Sequence, residues 1–383
     1  MPKSVIHFKA GPYLPITETW IYNQIKHLSL YRPVVYAPEI MNLDIFPTES
    51  LKKLKSAGKY RFLSRLLLCA SFFISMKKDK PALIHAHFGP SGHSFLPLKK
   101  LSGIPLVTSF YGYDLSKLIK ERPKWKNKYK ALFKRGELFL VEGSHMKKSL
   151  MELGCPEEKV LVQHLGIDLG RIPFVLRKTG RDGPFNILVA GSFREKKGLP
   201  FAVEAFGELK RKHPSLELRL TVIGDSSDNP QEERQKDMIL ETIRKYELSE
   251  FVKMMGYQPY TVFIEELYRH HIFLSPSICA ADGDTEGGVP VSIIEASASG
   301  MPVVSTMHCD IPEVILDGEN GYLAPEKDVD GLVQALELLV LNTESWGIIG
   351  RKGREHIEEH YDVRKQIKHL EEIYDTVVYG QKV

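Results

Sequence analysis

The stretch DGDTEGGVPVSIIEASASGMPVVST, residues 282–306, holds a loop, a helix and a strand in one reading. It follows the apolar run HIFLSPS at 271–277, which reads as a strand. Gly287 and Gly288 let the backbone approach a ligand without Cβ interference. A short helix is expected from about Ser292, stopped by Gly300, and MPVVST then reads as the next strand. Strands joined through a helix imply a parallel sheet, and such sheets bind ligands beyond the carboxyl ends of their strands, where this loop lies. The helix N-terminus offers unpaired N–H groups and a positive dipole end to an anion. Glu286 could reach the hydroxyls of a bound sugar, and Glu295 those of a ribose diol. Taken alone, the two glutamates favour a solvated loop with a helix-surface charge.

Working outward, the same alternation fills the chain. VIHF, PVVYA, ALIHAH, PLVTSF and ELFLVEG read as strands in the first half; NILVAG and LRLTVIG join HIFLSPS and MPVVST in the second. Between NILVAG and LRLTVIG, the residues Leu199, Ala202, Val203, Phe206 and Leu209 make one apolar helix face, ended by Pro214. The fold class is therefore α/β, with doubly wound parallel sheets. A chain of 383 residues exceeds one ordinary core and fits two domains. The boundary is expected near 172–184, where IPFVLRKTGRDGP is charged, aperiodic and Gly/Pro-bearing.

Composition narrows the class. Apolar residues at 43% and charged residues at 26% exclude a disordered or fibrous chain. Four scattered cysteines form no CxxC pair, which argues against a disulfide framework or structural zinc and suits a reducing compartment. MPKSVIHFKAG enters a strand-like run at once, and the most apolar stretch, Leu66–Met76, is shorter than the ~20 residues that span a bilayer, so a cytoplasmic location is expected. Residues 1–180 hold 30 Lys and Arg against 13 Asp and Glu, whereas residues 181–383 hold 22 against 35. A surplus of 17 in one half and a deficit of 13 in the other imply different partners, with an anionic membrane, nucleic acid or an acidic substrate drawn to the first.

The loop of 282–306, with IPEVILDGENGYLAPEKDVDGL after it, resembles glycosyltransferase family 4, the retaining enzymes of the GT-B fold. That family shows a Glu, a glycine-bearing loop, a second Glu on a helix, then Ala and Gly before a PVV strand. GSFREKKG (191–198) is similar to its diphosphate-gripping loop, with Lys197 at the phosphate-binding lysine, and VIGDSS (222–227) to the next strand and turn. LVEGSHMKKSLMELGCPEEKVLVQHLGID (140–168) resembles the last helix and strand of the acceptor domain, and FKAGPYLPITETWIYNQI (8–25) the opening of members serving exopolysaccharide pathways. The resemblance implies two Rossmann-like domains facing across a cleft. Residues 1–171 would bind the acceptor, 184–355 the nucleotide-sugar, and a helix within 356–383 would cross back to the first domain. It assigns catalysis to Glu286, Lys197 and Arg194. Donor contacts fall to Ser192, Gly224, Asp225, Gly287, Gly288, Val289, Pro290, Val291 and Glu295, and the acceptor side to Gly11, Glu18, His87, Tyr111 and Asp114. It further implies transfer, with retention of configuration, from a nucleotide-sugar to a glycan or lipid-linked saccharide. Peripheral contact with an anionic membrane goes with such an acceptor.

Three positions depart from the family pattern. Glu286 and Glu295 stand nine apart where eight is usual; Ser192 replaces an arginine, with Arg194 as the substitute; and Tyr111 stands where relatives have histidine. Tyrosine hydrogen-bonds but does not titrate near neutrality. No cofactor or metal is expected. His85 and His87 lack partner ligands at typical spacing, and Asp282-Gly283-Asp284 reads as turn chemistry. Two rivals are a sugar-nucleotide epimerase of the same fold and a nucleic-acid-binding protein. The first needs acid and base groups at the sugar; the second leaves the donor loop unused and lacks interleaved basic and aromatic residues.

Overall fold

The computed structural model describes residues 3–15, 18–54, 72–74, 76, 78–178 and 183–380. The chain divides into two units, Met1–Asp168 with Asp362–Val383, and Leu169–Tyr361. In the first unit β1 (Lys3–Phe8), β2 (Pro12–Tyr13), β3 (Tyr31–Ala37), β4 (Glu39–Ile40), β5 (Leu51–Lys53), β6 (Pro81–His87), β7 (Leu106–Ser109), β8 (Leu138–Val141) and β9 (Val160–Val162) follow in order. β2 pairs with β4, and the other seven make one parallel sheet ordered β5-β3-β1-β6-β7-β8-β9. Both faces of this sheet are covered, which is why its strands are near-continuous apolar runs. Ile6, Val34 and Ile84 pack against Phe95 of the helix Gly89–Ser102 and Leu132 of the helix Lys124–Arg135. Their neighbours Val5, Leu83 and Val107 face Ile367, Leu370 and Ile373 of the helix Val363–Tyr379.

The second unit repeats the plan. Its strands are β10 (Phe185–Ala190), β11 (Leu218–Ile223), β12 (Val252–Met254), β13 (Ile272–Ser275), β14 (Val303–Thr306) and β15 (Gly321–Ala324). All pair in parallel in the order β12-β11-β10-β13-β14-β15. The order reverses direction between β10 and β13, so the loops leaving these two strands flank a switch point, the usual ligand crevice of such sheets. Ile187, Val189, Leu220 and Leu274 form the core with Ala202, Val203, Phe206 and Leu209 of the helix Leu199–Lys212.

The unit edges differ from the sequence boundaries. Residues after Asp168 already belong to the second unit, because Val175 N–H bonds Ser299 O at 3.0 Å and the buried Arg177 guanidinium donates to Leu267 O and Ser299 Oγ, each at 2.8 Å. The return begins at Asp362 rather than 356. The helix Trp346–His360 stays with its own unit, where Gly350 lies so close to Gly300 that a Cβ there would meet Gly300 O at 2.4 Å. Among the described residues no helix is long and apolar enough to cross a membrane. Of the apolar stretch 66–76, residues 66–71 and 75 lie outside the described residues, while Phe72 and Met76 are buried in the first core.

Candidate functional site

The turn after β10 is built by glycines where a side chain has no room. Gly224, at φ 134°, lies so close to Gly191 that a Cβ would sit 1.8 Å from Gly191 O. Gly198, at φ 63°, ends the turn and would place a Cβ 1.9 Å from Pro276 O. The first approach holds the start of the segment 191–198 against the turn that leaves β11, the second its end against the loop that leaves β13. Ser192 and Arg194 lie half-buried in it, and Lys196 is buried.

Three cations of this turn meet two carboxylates of the donor loop. The Lys197 amine lies 2.9 and 3.0 Å from the two Glu286 oxygens, and Ser277 Oγ donates to Glu286 Oε1 at 3.0 Å. Arg194 pairs with the buried Asp284. Lys196 donates to Thr285 O at 2.8 Å and stands 3.5 Å from Asp284 and 3.6 Å from Glu286. Burial raises the Glu286 pKa, but the charges of Lys197 and Lys196 outweigh it and hold the carboxyl at about 2. Burial lowers the Lys197 pKa, with Glu286 opposing. Lys196 is not marked by the family resemblance, which singles out Lys197; its sequence signal is the doubled lysine at 196–197. Asp284, the second carboxylate of the Asp-Gly-Asp turn, is engaged by Arg194 and Lys196, and Asp284 N–H bonds Asp282 Oδ1 at 2.9 Å, which is turn chemistry.

Beyond Glu286 the chain passes Gly287 at φ 78°, then Gly288, Val289 and Pro290, all buried, into the helix Val291–Ala298. The helix begins with no side-chain cap, and while Ile293 N–H bonds Pro290 O at 2.9 Å, the N–H groups of Val291 and Ser292 are left to face an anion. Glu295 lies on it, buried, and accepts the Tyr260 hydroxyl at 2.6 Å. Burial pushes the Glu295 carboxyl up to about 7 despite that bond. Asp225, after β11, turns its carboxylate to Lys236 at 2.8 Å, while its carbonyl accepts Phe193 N–H at 3.0 Å. It therefore steadies the turn of 191–198 through its backbone.

The predicted acceptor residues belong to the other unit. Its sheet also reverses order, between β1 and β6, and His7, His85 and His87 stand near the carboxyl ends of these strands. All three rings are buried, and they form the one group with metal-ligand spacing among the described residues. His87 Nδ1 lies 2.7 Å from the Tyr111 hydroxyl and its Nε2 3.0 Å from His7 Nδ1; His85 contacts Tyr374 and Ser109, each at 2.7 Å. Only His7 Nε2 has no partner. Burial lowers all three pKa values, which keeps the rings neutral. Asp114 is wholly buried and accepts the N–H groups of Gly89 and Tyr111 at 2.7 and 2.8 Å, so it fixes the loops after β6 and β7. Its carboxyl is pushed up to about 7 by burial. Gly11 is half-buried with open space at its Cβ position, and Glu18 forms an ion pair with Lys9.

Comparison with known proteins bears on both units. Residues 174–356 match the family described as glycosyl transferases group 1, and residues 31–171 that described as Glycosyltransferase Family 4. The chain is 34% identical over 281 residues to the protein named colanic acid biosynthesis glycosyltransferase WcaL of Escherichia coli, covering 72% of this chain and 66% of that protein. It is 33% identical over 326 residues to amylovoran biosynthesis glycosyltransferase AmsK of Erwinia amylovora, covering 84% of this chain and 76% of that one. Among solved structures, Anabaena Alr3699/HepE in complex with UDP aligns with a TM-score of 0.80 at 15% identity, over 97% of this chain and 100% of that one. The fold is GT-B, two parallel-sheet α/β domains.

Proposed function

The chain belongs to the group 1 and family 4 glycosyltransferases, and from that premise we propose that it moves a sugar from a nucleotide-sugar, with retention of anomeric configuration, to a growing lipid-linked polysaccharide or glycolipid. The observation that carries the donor half of this reading is the convergence of Arg194, Lys196, Lys197 and Glu286 at the switch point of the second sheet. Breaking a sugar–phosphate bond builds positive charge at the anomeric carbon and negative charge on the departing diphosphate. Lys197, Arg194 and the first-turn N–H groups of the helix Val291–Ala298 stabilise that leaving group electrostatically, the work a metal does elsewhere. Glu286 and the loop Gly287–Val291 hold the sugar hydroxyls, and Glu295 the ribose. The acceptor hydroxyl attacks the face the diphosphate leaves, and its proton passes to a departing phosphate oxygen. Gly11, Glu18, His87 and Tyr111 border the acceptor.

An acceptor in polysaccharide assembly is supported by the names of WcaL and AmsK, and a nucleoside diphosphate by the UDP in the Alr3699/HepE complex. The reaction takes place in the cytoplasm, with the first unit in peripheral contact with the membrane. Thermal shift across UDP-, GDP- and ADP-linked sugars tests the donor, since a ligand that binds only the folded state raises its melting temperature. One nucleotide class should stabilise the parent protein, and Lys197→Ala should lose most of that shift. Equal response to all classes, or none, overturns the donor assignment; an inverted anomer in the NMR spectrum of the product overturns retention.

A further inference from the structure

Glu286 is held at both ends, its carboxylate by Lys197 and Ser277 and its backbone by a residue from another loop. His308 follows β14 and is buried. Its Nε2 accepts the Glu286 N–H at 3.1 Å. A ring nitrogen that accepts an N–H bond carries no proton, so the ring hydrogen of neutral His308 sits on Nδ1. That atom faces Glu326 Oε1 at 2.6 Å, and the other oxygen of Glu326 accepts Cys279 N–H at 2.7 Å. The half-buried Cys309 thiol, its pKa pushed up to about 12 by burial, lies 3.2 Å from the same Nε2 and keeps its proton, so it can donate to that nitrogen. The Glu286 N–H at Nε2 can only donate, and the atom opposite Nδ1 is a carboxylate oxygen, which can only accept. The bonds run from Cys279 through Glu326 and His308 to Glu286, clasping the donor loop near its start and at its working end.

We propose that His308, fixed as the Nδ1–H tautomer by Glu326, is a positioning residue that sets Glu286 against the donor sugar; this rests on the donor reading above. Only a carboxylate serves at position 326, because two N–H donors converge on its two oxygens. An amide there offers one oxygen. Turned to Cys279, it would present its NH2 to His308 Nδ1 and force the ring proton to Nε2, against the Glu286 N–H. In the proposed function the ribose falls to Glu295, which the Tyr260 hydroxyl steadies and which His308 does not contact. Loss of His308 therefore misplaces the sugar-facing carboxylate without touching the nucleoside grip.

The test uses the full chain with UDP-glucose and GDP-mannose, following release of nucleoside diphosphate, with binding of UDP and GDP measured in parallel. For the donor that the parent protein turns over, His308→Ala should lower kcat on the order of 10- to 100-fold, as small misplacements do. Nucleoside diphosphate affinity should stay within about twofold, since that grip is untouched. His308→Gln should recover part of the rate, since its amide oxygen can accept the Glu286 N–H, and Glu326→Gln should fall between. Parental kcat in His308→Ala, or kcat and nucleotide affinity falling together, overturns the proposal. A parent that turns over neither donor and is stabilised by no UDP-, GDP- or ADP-linked sugar sinks the donor reading instead. The 15N spectrum of the parent, with His308 assigned by its absence in His308→Gln, decides the tautomer without any substrate; a protonated Nε2 overturns the proposal by itself.

Discussion

Glu295 is a carboxyl held near neutrality by its surroundings, and that has a consequence for folding. Its pKa rises from 4.5 to about 7 because burial disfavours the charge more than the Tyr260 hydroxyl favours it. A raised acid pKa means the folded state holds its proton more tightly than the unfolded state. The stabilisation is fully present below the unfolded value near 4.5, declines as pH rises through the window to about 7, and is absent above it. Glu295→Gln removes the titration yet keeps an oxygen for Tyr260. Its melting temperature relative to the parent should climb across that window, by the equivalent of up to about 3 kcal/mol of stability. A difference that stays flat between pH 4.5 and 7.5 would count against a buried ionising Glu295. Glu286 and Glu295 were legible in the sequence through short spacing around a glycine-bearing loop and a helix start, and Lys197 through the family resemblance of 191–198. Lys196, His308, Glu326 and Tyr260 were not, since their roles come from contacts across the sheet, 18 residues apart for His308 and Glu326 and 35 for Tyr260 and Glu295. His308 was nonetheless within reach, because the rule that directs attention past the end of β13 applies equally past the end of β14.

At the scale of elements, the turn 191–198 decides where the cations stand. Gly198 joins a short 3-10 turn, Glu195–Lys197, to the helix Leu199–Lys212, and its positive φ aims the turn at the donor loop. Gly198→Ala adds a Cβ that would lie 1.9 Å from the backbone oxygen of Pro276, in a region side chains rarely adopt, so backbone must move. The variant should lose on the order of 2–4 kcal/mol of stability, a clash added to an unfavourable φ. Nucleotide-sugar binding should weaken as well, because Lys196 and Lys197 shift with the turn. Urea unfolding with donor titration checks both, and a variant as stable as its parent would show the turn to be less constrained than its geometry implies. The central strands and the helix Leu199–Lys212 were readable from apolar runs and a helical face. β5, β9, β12 and β15 stand out less. Each is three or four residues long at a sheet edge, where one side lacks a neighbouring strand and the apolar run is short. The return of the chain to the first unit was expected at 356, but the break falls at Asp362, which caps the helix Val363–Tyr379 by accepting Arg364 N–H at 2.9 Å. A cap differs from a solvated aspartate only once the helix is known to start there.

For the whole molecule, charge distribution is the property most open to test. By the units of the fold, residues 1–168 and 362–383 hold 31 Lys and Arg against 17 Asp and Glu, and residues 169–361 hold 21 against 31. The surplus of 14 in the first unit has a visible outlet in the helix Lys124–Arg135. That helix buries Tyr129, Leu132 and Phe133 and exposes Lys124, Lys126, Lys130, Lys134 and Arg135. An amphipathic face is also expected within residues 59–78, of which 59–71, 75 and 77 lie outside the described residues. A basic residue close to an anionic bilayer gains about 1 kcal/mol, so four or five on one face suffice for reversible binding. A lipid-linked acceptor presents its reactive end at that surface, which makes the attraction useful to the proposed reaction. The protein should co-sediment with vesicles containing phosphatidylglycerol and not with pure phosphatidylcholine. Binding should fall between 0.05 and 0.5 M salt, roughly as the screening length shortens through about 10 Å at 0.1 M. Reversing Lys124, Lys126, Lys130 and Lys134 to glutamate should abolish it and leave donor-induced thermal shift unchanged, because these lysines are remote in the chain from the second unit's site. Equal binding to neutral vesicles would point to apolar insertion instead. Binding that survives the four reversals would place the contact elsewhere on the first unit, and absence of binding to either vesicle would leave a soluble acceptor as the simpler account of the basic half.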